Sequence, residues 1–185
     1  MSLLGCEPIF LCGFMATGKS KVGHILAQNL DRVFLDTDAL VEERLGKSIS
    51  EIFEQDGEIV FRQYEHECIV KVSKMLQTVI SLGGGAILQE SNWEVIQSTG
   101  ICLCLRASAE TIFNRIARNS DRPLLRGLDD VERMQKIKEM LNEREEYYSR
   151  ADFFVTSTEK RAPEETANIA IDELAKIMDQ RKRDV

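Results

Sequence analysis

Residues 13–20 read GFMATGKS, and this stretch decides the fold. It matches the pattern G-x-x-x-x-G-K-[ST] in full, in which a glycine-rich turn joins a strand to a helix. The apolar run Ile9–Cys12 precedes the turn, and residues 19–30 follow it with apolar side chains at helical spacing. In such a turn, backbone N–H groups surround a phosphate and the positive end of the helix points at the same place. The stretch therefore predicts a nucleoside triphosphate site.

Single residues of this turn have separate chemical tasks. Gly18 allows a close backbone approach, Lys19 offsets the charge of the β- and γ-phosphates, and Ser20 offers a hydroxyl to Mg²⁺. No N-K-x-D guanine-reading pattern follows in the sequence, so ATP is favoured over GTP. The alternative is a chance glycine turn, but it leaves the flanking strand and helix patterns as coincidences.

The rest of the chain alternates short apolar runs with amphipathic stretches. Four further runs have the composition of buried parallel strands: 33–36, 78–82, 101–105 and 153–156. Capping boxes at Ser48–Glu51 and Ser91–Glu94 and an N-cap at Ser108 predict three of the helix starts. Strands that alternate with helices predict a three-layer α/β/α fold, with a five-stranded parallel sheet and helices on both faces. Without repeats or a visible boundary, we expect residues 1–185 to form a single domain.

Composition narrows the classes of partner. The net charge of −7 disfavours nonspecific nucleic-acid binding, which needs a basic face. We expect no membrane association, because no apolar run approaches the roughly 20 residues of a spanning helix and no signal peptide is visible. The five cysteines are an odd number without disulfide-scaffold spacing, which favours a reducing, cytoplasmic location. Cys102 and Cys104 share one face of a strand, where core packing is favoured over a metal pair.

Two aspartates follow the second strand directly, in Asp36-Thr37-Asp38. Ligands bind at this edge of open parallel sheets. Two residues apart on an extended segment, the carboxylates are expected to point the same way. One can hold Mg²⁺ through water, and the other can reach a substrate hydroxyl as acceptor or base. The alternative is that an aspartate here is the N-cap of the next helix.

Two further features also point to a ligand. Gly83, Gly84 and Gly85 follow the third strand, and three glycines weaken a chain unless the backbone must pass close to a ligand or to the next helix. Four arginines lie within twelve residues opposed only by Asp121, and such a basic cluster in an acidic chain predicts an anionic partner, most simply a phosphate: Arg115, Arg118, Arg122 and Arg126.

Taken in order, these motifs resemble the shikimate kinase family over nearly the whole chain. The motifs that carry the resemblance are the phosphate loop, Leu35-Asp36-Thr37-Asp38, Asp56-Gly57-Glu58 with Phe61-Arg62 and Glu65, Leu82-Gly83-Gly84-Gly85, Arg122-Pro123-Leu124-Leu125, and Glu143-Arg144 with Tyr148. The resemblance implies phosphorylation of the 3-hydroxyl of shikimate by ATP with Mg²⁺, in a monomeric P-loop kinase whose substrate region spans about 36–65 and whose mobile lid spans about 116–128.

The resemblance also implies roles for single residues. Lys19, Asp38 and Arg122 are expected to be catalytic, Asp38 by binding the reacting hydroxyl and Arg122 by reaching the transferred phosphoryl group from the lid. Mg²⁺ is assigned to Ser20 and Asp36. The shikimate site comprises Asp38, Arg62, Gly83, Gly84, Gly85 and Arg144, whose two arginines hold the carboxylate. The ATP site comprises Gly13, Ala16, Thr17, Gly18, Lys19, Ser20, Lys21, Arg115, Arg122, Arg161 and Pro163, of which Arg115, Arg161 and Pro163 match adenine contacts.

The chain departs from the family pattern at Ala16 and at Glu146, which stands where the family has a proline shortly after the second substrate arginine. The same residues leave two alternative functions. Ala16 stands where the family usually has glycine, and a methyl group is tolerated there if φ stays negative. Gluconate kinases and nucleoside-monophosphate kinases share the loop, but the Asp36-Thr37-Asp38 and triple-glycine combination argues against them. A non-catalytic ATP-sensing module would tolerate loss of Asp38 and Arg122, yet both are present.

Overall fold

A computed structural model describes residues 5–118 and 127–183. Its five strands form one parallel sheet in the order β2-β3-β1-β4-β5. The strands are β1 Ile9–Cys12, β2 Val33–Asp36, β3 Thr78–Ser81, β4 Ile101–Arg106 and β5 Phe153–Thr156. The helices are α1 Lys19–Asn29, α2 Thr37–Leu45, α3 Ile49–Gln55, α4 Glu58–Val72, α5 Glu90–Thr99, α6 Ala109–Ala117, α7 Asp130–Tyr148 and α8 Pro163–Arg183, with a short 3-10 turn at Ala86–Leu88.

The core lies on both faces of the sheet, because alternate side chains of each strand point to opposite faces. On β1, Ile9 and Leu11 pack with α1 and α8, whereas Phe10 and Cys12 pack on the other face with α4, α5 and α7. All four of these side chains are buried. The three-layer α/β/α fold predicted from the sequence is confirmed.

The buried cysteines belong to this core. The Sγ atoms of Cys12 and Cys102 lie 3.6 Å apart, and Cys104 is buried on the same face of β4. All five cysteines are free thiols. This arrangement agrees with the core-packing interpretation of Cys102 and Cys104, and the described residues contain no group of three side chains suited to a metal ion.

Two of the three predicted caps are present. Ser48 and Glu51 form a full capping box, and the Ser108 hydroxyl accepts from the Thr111 amide. The box predicted at Ser91–Glu94 is wrong, because α5 already begins at Glu90. The 3-10 turn runs directly into α5, and the Asn92 side chain donates to the Ala86 carbonyl at 2.8 Å. The helix thus begins without a side-chain cap, before the serine that was expected to provide one.

The strand order brings the predicted motifs to one edge of the sheet. The phosphate loop follows β1, which lies between β3 and β4 in the sheet. The chain leaves β1 towards β2 on one side, and it later leaves β3 towards β4 on the other side, so the strand order reverses here. Asp36 ends β2, and the glycine triplet follows β3. Ligands bind at such a switch point in open α/β sheets.

Within the described ranges, no helix is both long and apolar enough to cross a bilayer.

Candidate active site

A cleft of about 750 Å³ opens at the carboxyl edge of the sheet. The loops after β1, β3 and β5 line it together with the end of β2 and residues of α1, α2 and α6. The predicted site residues that line it are Ala16, Gly18, Lys19, Ser20, Lys21, Asp36, Asp38, Gly84, Arg115, Arg161 and Pro163. Other predicted residues adjoin the cleft without lining it: Gly13, Thr17, Arg62, Gly83, Gly85 and Arg144. Arg122 and residues 119–126 of the expected lid lie outside the described residues.

The phosphate loop is closed by hydrogen bonds of its own side chains. The buried Thr17 hydroxyl donates to the Phe14 carbonyl at 2.8 Å. The Lys19 ammonium donates to the carbonyls of Gly13 and Phe14 at 2.9 and 3.2 Å, so it lies over the loop. α1 begins immediately after Gly18 without a side-chain cap, so amides of its first turn have no partner within the helix. The arrangement offers a phosphate both a cation and backbone donors.

Ala16 adopts a backbone conformation that the sequence did not predict. Its φ is 59°, in the left-handed region, so the condition under which a methyl group is easily tolerated, a negative φ, is not met. L-residues disfavour this region because Cβ approaches the following carbonyl oxygen. The loop therefore keeps the backbone path of a glycine at a position occupied by alanine.

Arg115 connects the phosphate loop to the loop after β5. Its Nη1 donates to the carbonyls of Ala16 and Thr17 at 3.0 and 3.1 Å. Its Nη2 donates to the Ser157 hydroxyl and the Thr158 carbonyl, each at 3.0 Å. One half-buried guanidinium from α6 thus fixes two walls of the cleft in relation to each other.

Ser20 and Asp36 form an oxygen pair suited to a hard cation. The Ser20 hydroxyl donates to Asp36 Oδ2 at 2.9 Å. The other oxygen, Oδ1, accepts from the Asp38 and Ala39 amides as the N-cap of α2. Asp36 therefore serves as the cap and still presents one oxygen to the cleft. Mg²⁺ prefers such a sparse carboxylate–hydroxyl set, completed by phosphate oxygens and water.

Asp38 lies on a helix and not on the extended segment expected for it. The expectation is wrong because Thr37 already begins α2, so Asp38 belongs to the first helical turn. The carboxylates of Asp36 and Asp38 nevertheless both line the cleft. Burial, and then the charge of Asp36, raise the pKa of Asp38, while Lys19 and Arg62 act in the opposite direction. Asp38 thus shares the cleft with Lys19, and its Oδ1 lies against Gly83 beside Glu65, the partner of Arg62.

Arg62 is held by two carboxylates of its own helix, α4. Its Nη1 donates to Glu65 Oε2 at 2.7 Å, and its Nε and Nη2 donate to Glu58 Oε1. Glu65 is 1% exposed, and its Oε1 has no hydrogen-bond partner among the described residues. Burial raises the pKa of Glu65 to about 7 despite Arg62, and the charge of Asp38 adds to the rise.

The glycine triplet allows these side chains to come close to the backbone. A Cβ at Gly83 would lie 2.5 Å from Asp38 Oδ1 and 2.7 Å from Glu65 Oε1. A Cβ at Gly85 would lie 2.5 Å from Arg62 Nη2. The triplet therefore serves close approach to charged side chains rather than packing against the next helix.

The middle glycine of the triplet is held from the opposite side by α7. Arg144 Nη1 and the Tyr148 hydroxyl donate to the Gly84 carbonyl at 3.2 and 3.1 Å. The Arg144 guanidinium also lies over the Phe14 ring, 5.4 Å from its centroid. The two predicted carboxylate-binding arginines, Arg62 and Arg144, thus contact the same glycine loop.

Sequence reasoning missed several residues that shape this site. Glu65 was part of a motif without a role, although its i,i+3 spacing from Arg62 signals an ion pair on a helix. The Thr37 hydroxyl accepts from the Gly83 amide at 3.0 Å, which joins α2 to the glycine loop. Ser157 and Thr158 carried no sequence signal, because their contact with Arg115 depends on where the loop after β5 folds.

Comparison with known proteins agrees with this geometry. A family model described as shikimate kinase matches residues 15–175. A shikimate kinase from Caldanaerobacter subterraneus subsp. tengcongensis is 41% identical over 84% of this chain and 90% of its own length. A crystal structure of shikimate kinase from Bacteroides thetaiotaomicron has a TM-score of 0.86 at 31% identity, covering 92% of this chain and 99% of that one. Shikimate kinase from Acinetobacter baumannii in complex with shikimate has a TM-score of 0.85 at 32% identity, covering 93% and 94%.

Proposed function

This chain belongs to the shikimate kinase family, and from that premise we propose that it transfers the γ-phosphoryl group of ATP to the 3-hydroxyl of shikimate. The observation that carries the proposal is the position of Asp38. It lines the same cleft as Lys19 and Ser20, and its Oδ1 lies against Gly83 beside Oε1 of Glu65, the carboxylate that holds Arg62. A hydroxyl bound at Asp38 therefore lies between a phosphate site and a carboxylate site.

Asp38 accepts the hydrogen of the attacking hydroxyl and orients its oxygen. Its raised pKa makes it a better proton acceptor than an ordinary aspartate, because a base is most effective when its pKa is near the working pH. Lys19 stabilises charge on the β- and γ-phosphates, to which its ammonium turns from the loop carbonyls. Arg122 is proposed to reach the transferred group, although it lies outside the described residues.

Arg62 and Arg144 hold the carboxylate of shikimate. A planar guanidinium matches a carboxylate bidentately, which a lysine does not. Arg62 lies beside Gly85 and Arg144 donates to Gly84. The carboxylate of one ligand can therefore bind both arginines while the ring of the ligand lies along the glycine triplet. Glu58 and Glu65 keep Arg62 in place before the substrate arrives.

Mg²⁺ would be held by Ser20 and Asp36 and would neutralise charge on the β- and γ-phosphates when bound. The adenine side of the cleft is assigned to Arg115, Arg161 and Pro163, all three of which line it. We further propose, from the resemblance to the family, that the chain acts as a single domain and a monomer in the cytoplasm.

The experiment is release of ADP from Mg-ATP with shikimate, with gluconate and with no acceptor, alongside Lys19→Ala. We expect shikimate alone to stimulate ADP release and Lys19→Ala to abolish the stimulation. ADP release that is the same with shikimate as without an acceptor would contradict the proposed substrate. Stimulation by gluconate instead would move the chain to another small-molecule kinase function.

A further inference from the structure

The hydroxyl of Tyr148 has no role in the mechanism described so far. Tyr148 ends α7, one turn after Arg144, and the residue is 3% exposed. Its hydroxyl and Arg144 Nη1 donate to the same oxygen, the Gly84 carbonyl. A carbonyl oxygen has two lone pairs and can accept both hydrogen bonds. Two side chains of one helix therefore hold one peptide group of the glycine loop.

The hydrogen bonds to the Gly84 carbonyl also fix the direction of the Gly85 N–H. The Gly84 carbonyl and the Gly85 N–H belong to one planar trans peptide, in which they point in opposite directions. Neither the Gly84 amide nor the Gly85 amide donates to another described residue, whereas the Gly83 amide donates to Thr37. The hydrogen bond from α7 thus leaves the Gly85 N–H aimed away from α7 and available to a ligand.

The guanidinium of Arg144 can also bind a second acceptor, the carboxylate of a ligand. Among the described residues it makes no ion pair with a carboxylate; its contacts are the Gly84 carbonyl and the Phe14 ring. A hydrogen bond to a ligand carboxylate is charge-assisted and is stronger than one to a neutral carbonyl. When Arg144 turns to such a ligand, the Gly84 carbonyl keeps only the hydrogen bond from Tyr148.

We propose that Tyr148 is a positioning residue for the acceptor substrate, which keeps the Gly84–Gly85 peptide in place while Arg144 engages the substrate carboxylate. This inference rests on the proposed function and adds a residue to its acceptor site. Burial raises the pKa of Tyr148 well above that of an ordinary tyrosine, so the hydroxyl remains a donor at any pH used in an assay.

The test is Tyr148→Phe, which removes one oxygen and keeps the ring. The matched control is Tyr147→Phe, because the adjacent Tyr147 is half-buried and its hydroxyl makes no hydrogen bond to a described residue. We expect Tyr148→Phe to raise the KM for shikimate about fivefold to tenfold, since a carbonyl loses its donor only in the complex. The KM for ATP should stay within about twofold, and Tyr147→Phe should change neither constant. An unchanged KM for shikimate, or equal rises in both constants, would overturn the proposal.

A second measurement does not depend on activity. In the unliganded protein Arg144 alone still serves the carbonyl, so Tyr148→Phe should shift Tm little in the unaltered background and clearly more in an Arg144→Ala background. Additive shifts in Tm would contradict the shared acceptor. Absence of shikimate-stimulated turnover in the unaltered chain would overturn the proposed function and with it the role for the acceptor, whereas normal turnover with no effect of Tyr148→Phe on either measurement overturns this inference alone.

Discussion

The carboxylates of Asp38 and Glu65 lie against the same glycine, each with one oxygen within 2.7 Å of the point that a Cβ of residue 83 would occupy. Asp38 comes from the first turn of α2, and Glu65 comes from the middle of α4. The absence of a side chain at Gly83 therefore brings an acceptor for the substrate hydroxyl and the anchor of Arg62 to one point. Changes at this point should affect both the chemistry and the response to pH.

Gly83→Ala should reduce kcat strongly. Its methyl group would overlap Asp38 Oδ1 at 2.5 Å and force that carboxylate out of line, and misplacement by about 1 Å costs on the order of 10²-fold in rate. Steady-state kinetics would measure the loss, with ATP affinity expected to change little. Gly84→Ala is the comparison, because a Cβ there meets its nearest atom, the Met15 amide nitrogen, at 3.6 Å and should cost less. Equal losses in the two variants would contradict the assigned contact.

The raised pKa of Glu65 predicts a pH dependence of stability. Its pKa is about 7 in the folded protein, against 4.5 for an ordinary glutamate. The protonated form is thus favoured by folding, so the contribution is fully present below pH 4.5 and is lost as pH rises to 7. The size is on the order of 3 kcal/mol, and Glu65→Gln should remove this slope from the free energy of unfolding.

Denaturant unfolding between pH 4.5 and pH 8 measures this slope. The matched control is Glu94→Gln, which removes an exposed carboxylate on α5. The control should retain the slope of the unaltered chain. A Glu65→Gln variant whose stability changes with pH as the unaltered chain does would show that Glu65 is ionised throughout this range.

Ala16→Gly should stabilise the protein. The left-handed φ of 59° costs an L-residue roughly 1–2 kcal/mol, and the extra freedom of glycine in the unfolded chain returns about 0.4–1 kcal/mol of this. We expect a net gain of about 0.5–1 kcal/mol in the free energy of unfolding, from the difference of these terms. Chemical denaturation measures it. Ala175→Gly, at an exposed position inside α8, should instead destabilise by about 0.5–1 kcal/mol. Equal destabilisation by both variants would contradict the left-handed conformation at Ala16.

Arg115→Lys should weaken binding of phosphates even when no adenine is present. Lysine cannot donate at once to Ala16, Thr17 and the loop after β5. The phosphate loop therefore loses the hydrogen bonds that connect it to the loop after β5. Calorimetry should show affinities for ATP and for tripolyphosphate that fall by a similar factor, about tenfold, as expected for the loss of a charged hydrogen-bond set. The exposed Arg118, which pairs with Glu159, gives the control variant Arg118→Lys. Loss of ATP affinity with unchanged tripolyphosphate affinity would instead assign Arg115 to adenine alone.

Much of the fold was predictable because its signals are local. The phosphate loop, the strand before it and α1 follow from residues 9–30, and five short apolar runs between helical patterns define the parallel sheet. The edge at which Asp36 and the glycine triplet meet follows from the parallel topology. The start of α5 was predicted wrongly, because Ser91 and Glu94 match a capping box although the helix already begins at Glu90.

The details of the site depend on contacts between distant segments, and local patterns do not contain them. Glu65 looks like a surface residue of a charged helix, and its burial appears only when α4 packs against Asp38 and Gly83. The Ala16 carbonyl likewise accepts a hydrogen bond from a guanidinium 99 residues away in the sequence. The order of the motifs suggested which residues lie close together. It did not show which atoms form the contacts, such as the Gly84 carbonyl that accepts from both Arg144 and Tyr148.

The most direct test of the account is the identity of the product. The unaltered chain and Asp38→Asn are incubated with Mg-ATP and shikimate, and phosphorus and proton NMR locate the phosphate on the ring. We expect shikimate 3-phosphate as the product, formed about 10²- to 10⁴-fold more slowly by Asp38→Asn because the proton acceptor is lost. No phosphorylated shikimate, a phosphate on another hydroxyl, or an Asp38→Asn variant as fast as the unaltered chain would contradict the central claim.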